Sequence, residues 1–359
     1  MRIGIDARMI DSSGIGTYIK NLIYWLPKVS NYEYILFGNE QKLKPYGLQI
    51  VQADFPIYGL KEQLFMSRII NNKNIDLMHF THYTIPIMYS GNMVVNVHDL
   101  IHIVYPEYLP SKFALLYAKF MIGSACKKAK RVITISEYTK KDIIKYFQTE
   151  SKKISITYLA AGDIFKPSSI MAEDMKKKYG KYFLYVGAIR PHKNILFLLE
   201  SFIKLKKEKN ILHKLVLIGK GKIPYINHVR KKISAYSLQN DVLIIEEIKQ
   251  EELVSFYCGA DIFLFPSLYE GFGLPPLEAM SCGCPVISSN TSSLPEVVGD
   301  ACILVDPNNM KNFTDSIYNV IINENLKKEL IKKGFERLKL FSWEKTAKET
   351  VNIYKEVLQ

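Results

Sequence analysis

The chain has 359 residues, of which 48% are hydrophobic and 23% charged, and these proportions exclude a disordered chain or a coiled coil. At ~150 residues per domain, this length predicts two domains. The formal net charge of +13 is divided evenly, with 20 Lys and Arg against 13 Asp and Glu in residues 1–165 and 28 against 22 in residues 166–359, which argues against a nucleic-acid-binding stripe.

Short apolar segments alternate with longer amphipathic segments through the first half of the chain. In chain order these predicted strands and helices are Arg2–Asp6, Gly16–Leu26, Asp76–Phe80, Met93–Val97, Ser111–Lys128, Arg131–Ile135 and Glu137–Phe147. The strand-like segments are apolar over most of their length, as strands buried on both faces are. We therefore predict an α/β domain, residues 1–165, with a parallel sheet and helices on each face.

A linker is predicted at 160–167, where Gly and Pro interrupt the periodicity. The alternation then resumes with Tyr182–Val186, Asn194–Lys207, Lys214–Gly219, Val242–Ile245, Glu251–Cys258, Asp261–Phe265, Pro276–Ser281 and a last strand at Val286–Ser288. A second doubly wound domain is expected over 166–342. A final helix, Trp343–Leu358, with Ser342 as its N-cap, is expected to pack back on the first domain.

The segment Tyr269–Met280 follows a predicted strand and carries the strongest chemical signal. Gly271 and Gly273 permit a close approach of the backbone to a ligand, and amides at a helix start attract an anion. Glu270 and Glu278 fit this site if they accept hydrogen bonds from sugar hydroxyls while the amides hold a phosphate. Glu278 is expected in the first helical turn, where ordinary capping of the helix is the alternative interpretation.

Two cations, Arg190 and Lys193, follow the predicted strand Tyr182–Val186. Fixed cations at the end of a strand can neutralise a diphosphate leaving group. The alternative is a solvated basic loop.

A glycine-rich turn with Gly14 and Gly16 follows the first predicted strand. It lacks the third glycine of the dinucleotide-binding fingerprint, because position 19 is Ile19. We expect Gly14 and Gly16 to approach a phosphate or a sugar.

His98 and Asp99 end the strand Met93–Val97. His98 can donate a hydrogen bond to a sugar hydroxyl, with Asp99 orienting it. Three further histidines, His79, His82 and His102, make a metal cluster conceivable, but their spacing matches no known ligand set. No Asp-x-Asp is present to hold a divalent ion on a diphosphate, so we expect no metal.

The frame Glu270-x7-Glu278 resembles the signature of the retaining glycosyltransferases of family four. Members of this family have the GT-B fold, in which two doubly wound Rossmann-like domains face each other across a cleft. The flanking segments Pro266–Tyr269, Cys284–Ile287, Ser293–Val297 and Phe341–Trp343 are also similar to the family. The opening segments Gly4–Arg8 and Gly14–Gly16 resemble the branch of bacterial polysaccharide mannosyltransferases.

The resemblance implies a role for each matching residue. Glu278 would bind the ribose, Glu270 the transferred sugar, and Lys193 the diphosphate. His98 would contact the sugar near its anomeric carbon, and the main chain of Ile248 would hold the base. Backbone amides over Gly271, Phe272, Gly273 and Leu274 would meet the sugar and the distal phosphate.

The sequence departs from the family at two positions. The family often has an Arg five residues before the Lys, where this chain has Ala188, and another Arg after Gly-Ile-Gly, where this chain has Thr17. Either Arg190 takes over the contact with the phosphate or Lys193 acts alone.

The resemblance therefore predicts metal-independent, retaining transfer of a hexose to a glycan or lipid-linked glycan in cell-surface polysaccharide biosynthesis. GDP-mannose is the first choice of donor, a UDP-sugar is the alternative, and no further cofactor is expected. A sugar-nucleotide epimerase of the same fold is a second alternative, and a nucleic-acid-binding protein a remote one.

A cytoplasmic protein is expected, since the first residues lack the layout of a signal peptide. The positive charge suits peripheral association with the inner face of the plasma membrane. No apolar stretch reaches the ~20 residues of a membrane span, and the nearest candidate, Phe113 to Cys126, is interrupted by Lys119.

Overall fold

The computed structural model of the protein describes all 359 residues and divides into two compact units. The first unit comprises Met1–Leu159 and Ser342–Gln359, and the second comprises Ala160–Phe341. The division falls six residues before the predicted boundary, so Gly162 and Phe165 of the predicted linker belong to the second unit.

The first unit contains a parallel sheet of seven strands in the order β3-β2-β1-β4-β5-β6-β7. Its strands are β1 (Arg2–Asp6), β2 (Glu33–Gly38), β3 (Gln49–Gln52), β4 (Leu77–Phe80), β5 (Met93–Asn96), β6 (Arg131–Thr134) and β7 (Ile154–Ile156). Its first six helices are α1 (Ser13–Val29), α2 (Glu40–Leu43), α3 (Leu60–Asn71), α4 (Ile101–Val104), α5 (Lys112–Lys128) and α6 (Glu137–Phe147). The order of the strands reverses between β1 and β4, which is where open α/β sheets bind ligands.

The second unit contains a parallel sheet of six strands in the order β10-β9-β8-β11-β12-β13. Its strands are β8 (Tyr182–Val186), β9 (Lys214–Ile218), β10 (Val242–Ile245), β11 (Ile262–Phe265), β12 (Val286–Ser289) and β13 (Ile303–Val305). Its helices are α7 (Ser169–Tyr179), α8 (Ile195–Lys209), α9 (Tyr225–Ala235), α10 (Gln250–Gly259), α11 (Leu274–Ser281), α12 (Leu294–Val298), α13 (Met310–Ile322) and α14 (Glu324–Leu338). The order reverses between β8 and β11.

The prediction that Val286–Ser288 is the last strand was wrong, because β13 continues the sheet beyond it. This strand has three residues, and two of them are only half-buried. All three of its residues are apolar, but a run of three is too short to distinguish a strand from a loop by its pattern.

The last helix, α15 (Trp343–Leu358), belongs to the first unit and packs on α1 and β4. Ser342 caps it by accepting a hydrogen bond from the Lys345 amide at 3.1 Å. The buried Tyr354 brings its hydroxyl to 2.5 Å from Nδ1 of His79, and Nε2 of His79 lies 2.5 Å from Oδ1 of Asn96. This buried polar network joins the end of the chain to the sheet.

Candidate active site

The reversal point of the second sheet brings two loops together at the carboxyl edge. The loop after β8 carries Arg190 and leads into a single turn of 3-10 helix, Pro191–Lys193. The loop after β11 carries Glu270 and leads into α11. The Leu268 amide donates to the His192 carbonyl at 2.8 Å, so a backbone hydrogen bond fixes the two loops against each other.

Lys193 and Glu270 form an ion pair across these loops. The Nζ of Lys193 lies 2.5 Å from Oε1 of Glu270, and the two side chains are 16% and 12% exposed. The ammonium also lies 5.6 Å from the ring centre of Phe265, on the neighbouring strand. The structure thus joins two residues that are 77 positions apart in the sequence and that were predicted to act on the same ligand.

Two serines before α12 hold the loop that contains Glu270. The hydroxyl of Ser293 donates to the carbonyls of Glu270 and Phe272 at 2.9 and 2.8 Å. The hydroxyl of Ser292 accepts from the Glu270 amide at 2.9 Å. The backbone of the loop is therefore organised before any ligand binds. The sequence around the two serines gives no signal for this role.

The start of α11 requires a glycine. Gly273 has φ +114°, in the left-handed region, and a Cβ there would lie 2.7 Å from Cδ2 of Leu294. No side chain caps α11 ahead of Leu274, so the helix start keeps its partial positive charge. This geometry suits the approach of an anion to the backbone over residues 271–274.

Glu278 lies in the second turn of α11, so the prediction that it lies in the first turn was wrong. The alternative that it caps the helix start is excluded for the same reason. Its Oε2 accepts a hydrogen bond from the hydroxyl of Tyr257 at 2.9 Å. Burial raises the pKa of Glu278 to about 7, although the hydrogen bond from Tyr257 lowers it. Tyr257 was missed because a buried aromatic residue on α10 has the same sequence pattern as ordinary core.

Arg190 and Ile248 occupy loops at the same edge of the sheet. Arg190 is exposed and forms no ion pair. The Ala188 carbonyl accepts from the hydroxyl of Tyr185 at 3.1 Å, so the position of the missing Arg is part of a fixed turn. Ile248 is half-buried in the loop between β10 and α10.

In the first unit, His98 is a buried, neutral histidine after β5. Its Nε2 lies 2.9 Å from the Thr81 carbonyl oxygen, which can only accept, so Nε2 carries the proton. The neutral ring has no second N–H, so the expectation that His98 donates to a sugar hydroxyl was wrong, and Nδ1 can only accept. Asp99 does not orient the ring through a hydrogen bond either, since its Oδ1 accepts from the Ile101 amide at 3.0 Å. Burial lowers the pKa of His98, more than Thr81 and Asp99 raise it. The chain contains no group of three or more His, Cys, Asp or Glu side chains that could hold a metal ion.

Gly14 and Gly16 lie inside the first turns of α1, not in a loop ahead of it. Gly16 is buried, and a Cβ on it would collide with the Ile10 carbonyl. It therefore allows α1 to pack on the preceding loop, which is a structural reason for that glycine. Gly14 has open space around its Cα.

A charged cluster after β1 was also missed. The buried Arg8 guanidinium donates to both carboxylate oxygens of Asp6, at 2.8 and 2.6 Å, and to Oε1 of Glu62 at 2.7 Å. Burial alone would lower the pKa of Arg8, but the two carboxylates outweigh it, and the pKa lies above its usual value. No sequence signal links Glu62 to this site, since it lies on α3, 54 positions from Arg8.

Comparison with known proteins gives the family. Residues 12–160 match the domain described as Glycosyltransferase Family 4, and residues 169–337 match Glycosyl transferases group 1. O-antigen chain mannosyltransferase B of Escherichia coli is 32% identical over 268 residues, which cover 73% of this chain and 70% of that protein. The chain is a family four glycosyltransferase. O-antigen chain mannosyltransferase RfbU of Salmonella typhimurium is 33% identical over 254 residues, covering 70% of the glycosyltransferase and 67% of that relative.

Among solved structures, HepE of Anabaena in complex with UDP and glucose superposes on the glycosyltransferase with a TM-score of 0.81. The match covers 99% of this chain and 100% of HepE at 17% identity, and it shows the fold alone. The predicted GT-B class, with two doubly wound Rossmann-like domains, is confirmed. No helix of the glycosyltransferase is both long and apolar enough to cross a membrane.

Proposed function

We propose that this glycosyltransferase moves a hexose from a nucleotide-diphosphate sugar to a glycan or lipid-linked glycan, with retention of configuration and without a metal ion. The observation that carries the proposal is the Lys193–Glu270 pair beside the uncapped start of α11. It places a cation, a carboxylate and helix amides at the carboxyl edge of one sheet, where a sugar diphosphate needs partners of all three kinds.

The ion pair suggests how the donor is accommodated. A nearly buried charge that loses its partner is costly, so neither Lys193 nor Glu270 can be left unpaired. A sugar diphosphate supplies both replacements, since its phosphate takes the ammonium and its hydroxyls take the carboxylate. A free sugar or a free phosphate supplies only one. This exchange favours the complete donor over its fragments.

The departing diphosphate is stabilised by fixed positive groups, which usually contribute most to this kind of catalysis. Lys193 and the amides over Gly271–Leu274 take this role, and Arg190 is the second cation in place of the Arg absent at Ala188. The acceptor attacks the face that the diphosphate leaves, and the leaving phosphate helps to remove the acceptor proton. His98, neutral and with Nδ1 as an acceptor, is assigned by resemblance to a hydroxyl of the sugar.

Glu278 is assigned to the ribose and the main chain of Ile248 to the base. A carboxylate can accept from both ribose hydroxyls, whereas a protonated carboxyl accepts fewer bonds. With a pKa of about 7, Glu278 is poised between these two states at neutral pH. The hydrogen bond from Tyr257 favours the ionised form and leaves Oε1 for the ligand.

Mannose from GDP-mannose is the proposed transfer, in the biosynthesis of a cell-surface polysaccharide at the cytoplasmic face of the membrane. The two curated relatives, both named as O-antigen chain mannosyltransferases, support the sugar and the polysaccharide. They leave a UDP-sugar as the alternative donor.

The first experiment is a thermal-shift screen of the purified protein with GDP, UDP, ADP and their sugars. A ligand at 100 times its dissociation constant adds ~2.7 kcal/mol of stability. We expect the largest shift with guanine nucleotides. A shift with UDP and UDP-sugars alone would replace GDP-mannose by the alternative.

Transfer is then measured with the selected donor, and the anomeric configuration of the product is read by NMR. Retention, with equal rates in EDTA and in buffer, is the expected result. An inverted product would refute the retaining mechanism, and EDTA inhibition that manganese reverses would refute metal independence. An epimerised donor without a transfer product would identify an epimerase. A reaction without acceptor is the blank.

A further inference from the structure

Two cysteines lie side by side at the ends of α10 and α11, close to Glu278. Cys258 directly follows Tyr257, whose hydroxyl donates to Glu278. Cys282 lies one helical turn beyond Glu278, and its amide donates to the Glu278 carbonyl at 3.1 Å. Residues four positions apart share one face of a helix, so the contact between Tyr257 and Glu278 also brings Cys258 and Cys282 together. The side chains of the two cysteines are hydrogen-bonded to each other.

Cys258 is the accessible member of this pair. Its side chain is half-buried, whereas that of Cys282 is buried. As a thiol, Cys258 can donate to the Lys166 carbonyl, with its Sγ 3.4 Å from that oxygen. As a thiolate, it accepts from the Cys282 thiol and from the backbone amide of Ser168, the N-cap residue of α7. Donors of this kind stabilise a thiolate, so Cys258 has the surroundings of a nucleophile.

Cys258 also ionises more readily than the other cysteines. The hydrogen bond from Cys282 lowers the pKa of Cys258 to about 7, although burial raises it. The same hydrogen bond, together with burial, raises the pKa of Cys282. Burial raises the pKa of Cys126 to about 11 and also raises the pKa values of Cys284 and Cys302. A thiol whose pKa is near the ambient pH is the best attacking group for a disulfide.

The third cysteine of this region does not join the pair. The thiol of Cys284 donates to the carbonyls of Ala260 and Pro285, with sulfur-to-oxygen distances of 3.6 Å. Cys284 is buried, so it is not the first thiol that a reagent from solvent meets. The geometry therefore selects one nucleophilic thiol, Cys258, and one neighbouring thiol, Cys282.

We propose that Cys258 and Cys282 form a redox-active pair, which a low-molecular-weight disulfide oxidises to a Cys258–Cys282 disulfide. The Cys258 thiolate attacks one sulfur of the reagent, the S–S bond of the reagent breaks, and a first thiolate leaves. The Cys282 thiol gives its proton to this thiolate and attacks Sγ of Cys258, which releases a second thiolate. That thiolate takes up the proton that Cys258 had lost to solvent. The pair loses two electrons in total, and the reagent is reduced to two thiols.

The first step also prepares the second. Once Cys258 is joined to the reagent, it is no longer a thiolate, and the hydrogen bond that contributes most to the raised pKa of Cys282 is lost. Cys282 then ionises more easily beside the sulfur that it attacks. The product joins α10 to α11 next to the contact between Tyr257 and Glu278. This chemistry is independent of which ligand Glu278 binds.

The test is treatment of the purified full-length protein with oxidised glutathione at neutral pH, followed by peptide mass spectrometry. We expect a Cys258–Cys282 cross-link that dithiothreitol reverses. Cys282→Ala should stop at a glutathione adduct on Cys258, and Cys258→Ala should give neither product. Cys302→Ala, which removes a buried cysteine outside the pair, is the matched control and should form the cross-link like the unsubstituted chain.

A second measurement is the rate at which iodoacetamide alkylates each cysteine of the reduced, folded protein. At neutral pH, Cys258 should react about tenfold faster than any other cysteine, because the others are buried thiols. The pH dependence of its rate should have a midpoint of about 7. Cys282→Ala should move this midpoint to higher pH, since the thiolate loses a hydrogen bond. A cysteine with a purely structural role would show neither effect.

Two outcomes would overturn the proposal. Alkylation of Cys258 at the rate of the buried cysteines would remove the nucleophile. A glutathione adduct that persists on Cys258 while Cys282 is present would show that Cys282 does not complete the exchange. Both measurements are made on the unsubstituted chain, so they decide the question even where a variant does not fold.

Discussion

Lys193→Met removes the cation from Glu270 while keeping an unbranched side chain of similar length. At 2.5 Å and an effective dielectric constant of ~20, the attraction between the two charges is about 7 kcal/mol. Removing both groups from water offsets much of this attraction, since the two side chains are only 16% and 12% exposed. Because water still reaches both groups, we expect a net loss of ~1–3 kcal/mol in the free energy of unfolding of the second unit, less than the ~3–5 kcal/mol of a fully buried pair.

The loss of activity should exceed the loss of stability. Without Lys193, one stabiliser of the departing diphosphate is gone, which costs ~3 kcal/mol or about a hundredfold in turnover. Stability and turnover are therefore measured in a double-mutant cycle of Lys193→Met, Glu270→Gln and both together. The double variant contains no unpaired charge, so it should lose less stability than the two single variants lose together. Its turnover should not recover.

Arg190→Ala is the matched control for stability, because Arg190 lies on the same loop, is exposed and forms no ion pair. Its stability should be unchanged, and a drop in turnover would show that Arg190 replaces the residue absent at Ala188. The reasoning on Lys193 is refuted if Lys193→Met turns over like the unsubstituted enzyme. Lys193 would then serve only as the structural partner of Glu270.

Three further predictions concern α11 and its neighbours. In calorimetric titration, Glu278→Gln should weaken the binding of free nucleoside diphosphate and of the sugar donor alike, by about ten- to a hundredfold. Glu270→Gln should leave the binding of the free diphosphate unchanged. The reverse pattern would mean that the two roles are exchanged. Donor affinity should rise with pH, with a midpoint at about pH 7, as Glu278 ionises. Tyr257→Phe should move this midpoint to higher pH, because it removes the hydrogen bond that lowers the pKa of Glu278. A donor affinity that does not change across neutral pH would contradict the assignment of Glu278 to the ribose. Gly273→Ala should cost ~1–3 kcal/mol in chemical denaturation, because φ is +114° and the new methyl group meets Leu294, and unchanged stability would show that the turn relaxes.

The sequence by itself was enough to predict the two parallel sheets and most of their strands. Strands such as β8 and β11 are buried on both faces, so their residues are all hydrophobic and the pattern is visible locally. Edge strand β13 is also apolar, but it was missed because a run of three residues is too short to identify a strand. The motif around Glu270 and Glu278 was also local, because a strand end, glycines and a helix start follow one another directly.

Contacts between distant segments were decided only by the tertiary structure. Lys193 and Glu270 lie on different loops, and Tyr257 and Glu278 lie on different helices. In each pair, the sequence around one residue does not identify its partner. The burial of a side chain also depends on distant segments. The pKa of Glu278 is raised because atoms from several parts of the second unit surround its carboxyl group. Exposure follows the same rule. Phe113, Leu116 and Phe120 on α5 are large and apolar, as core residues are, yet the folded chain leaves them exposed, because the exposure of a side chain depends on the neighbours that it acquires on folding.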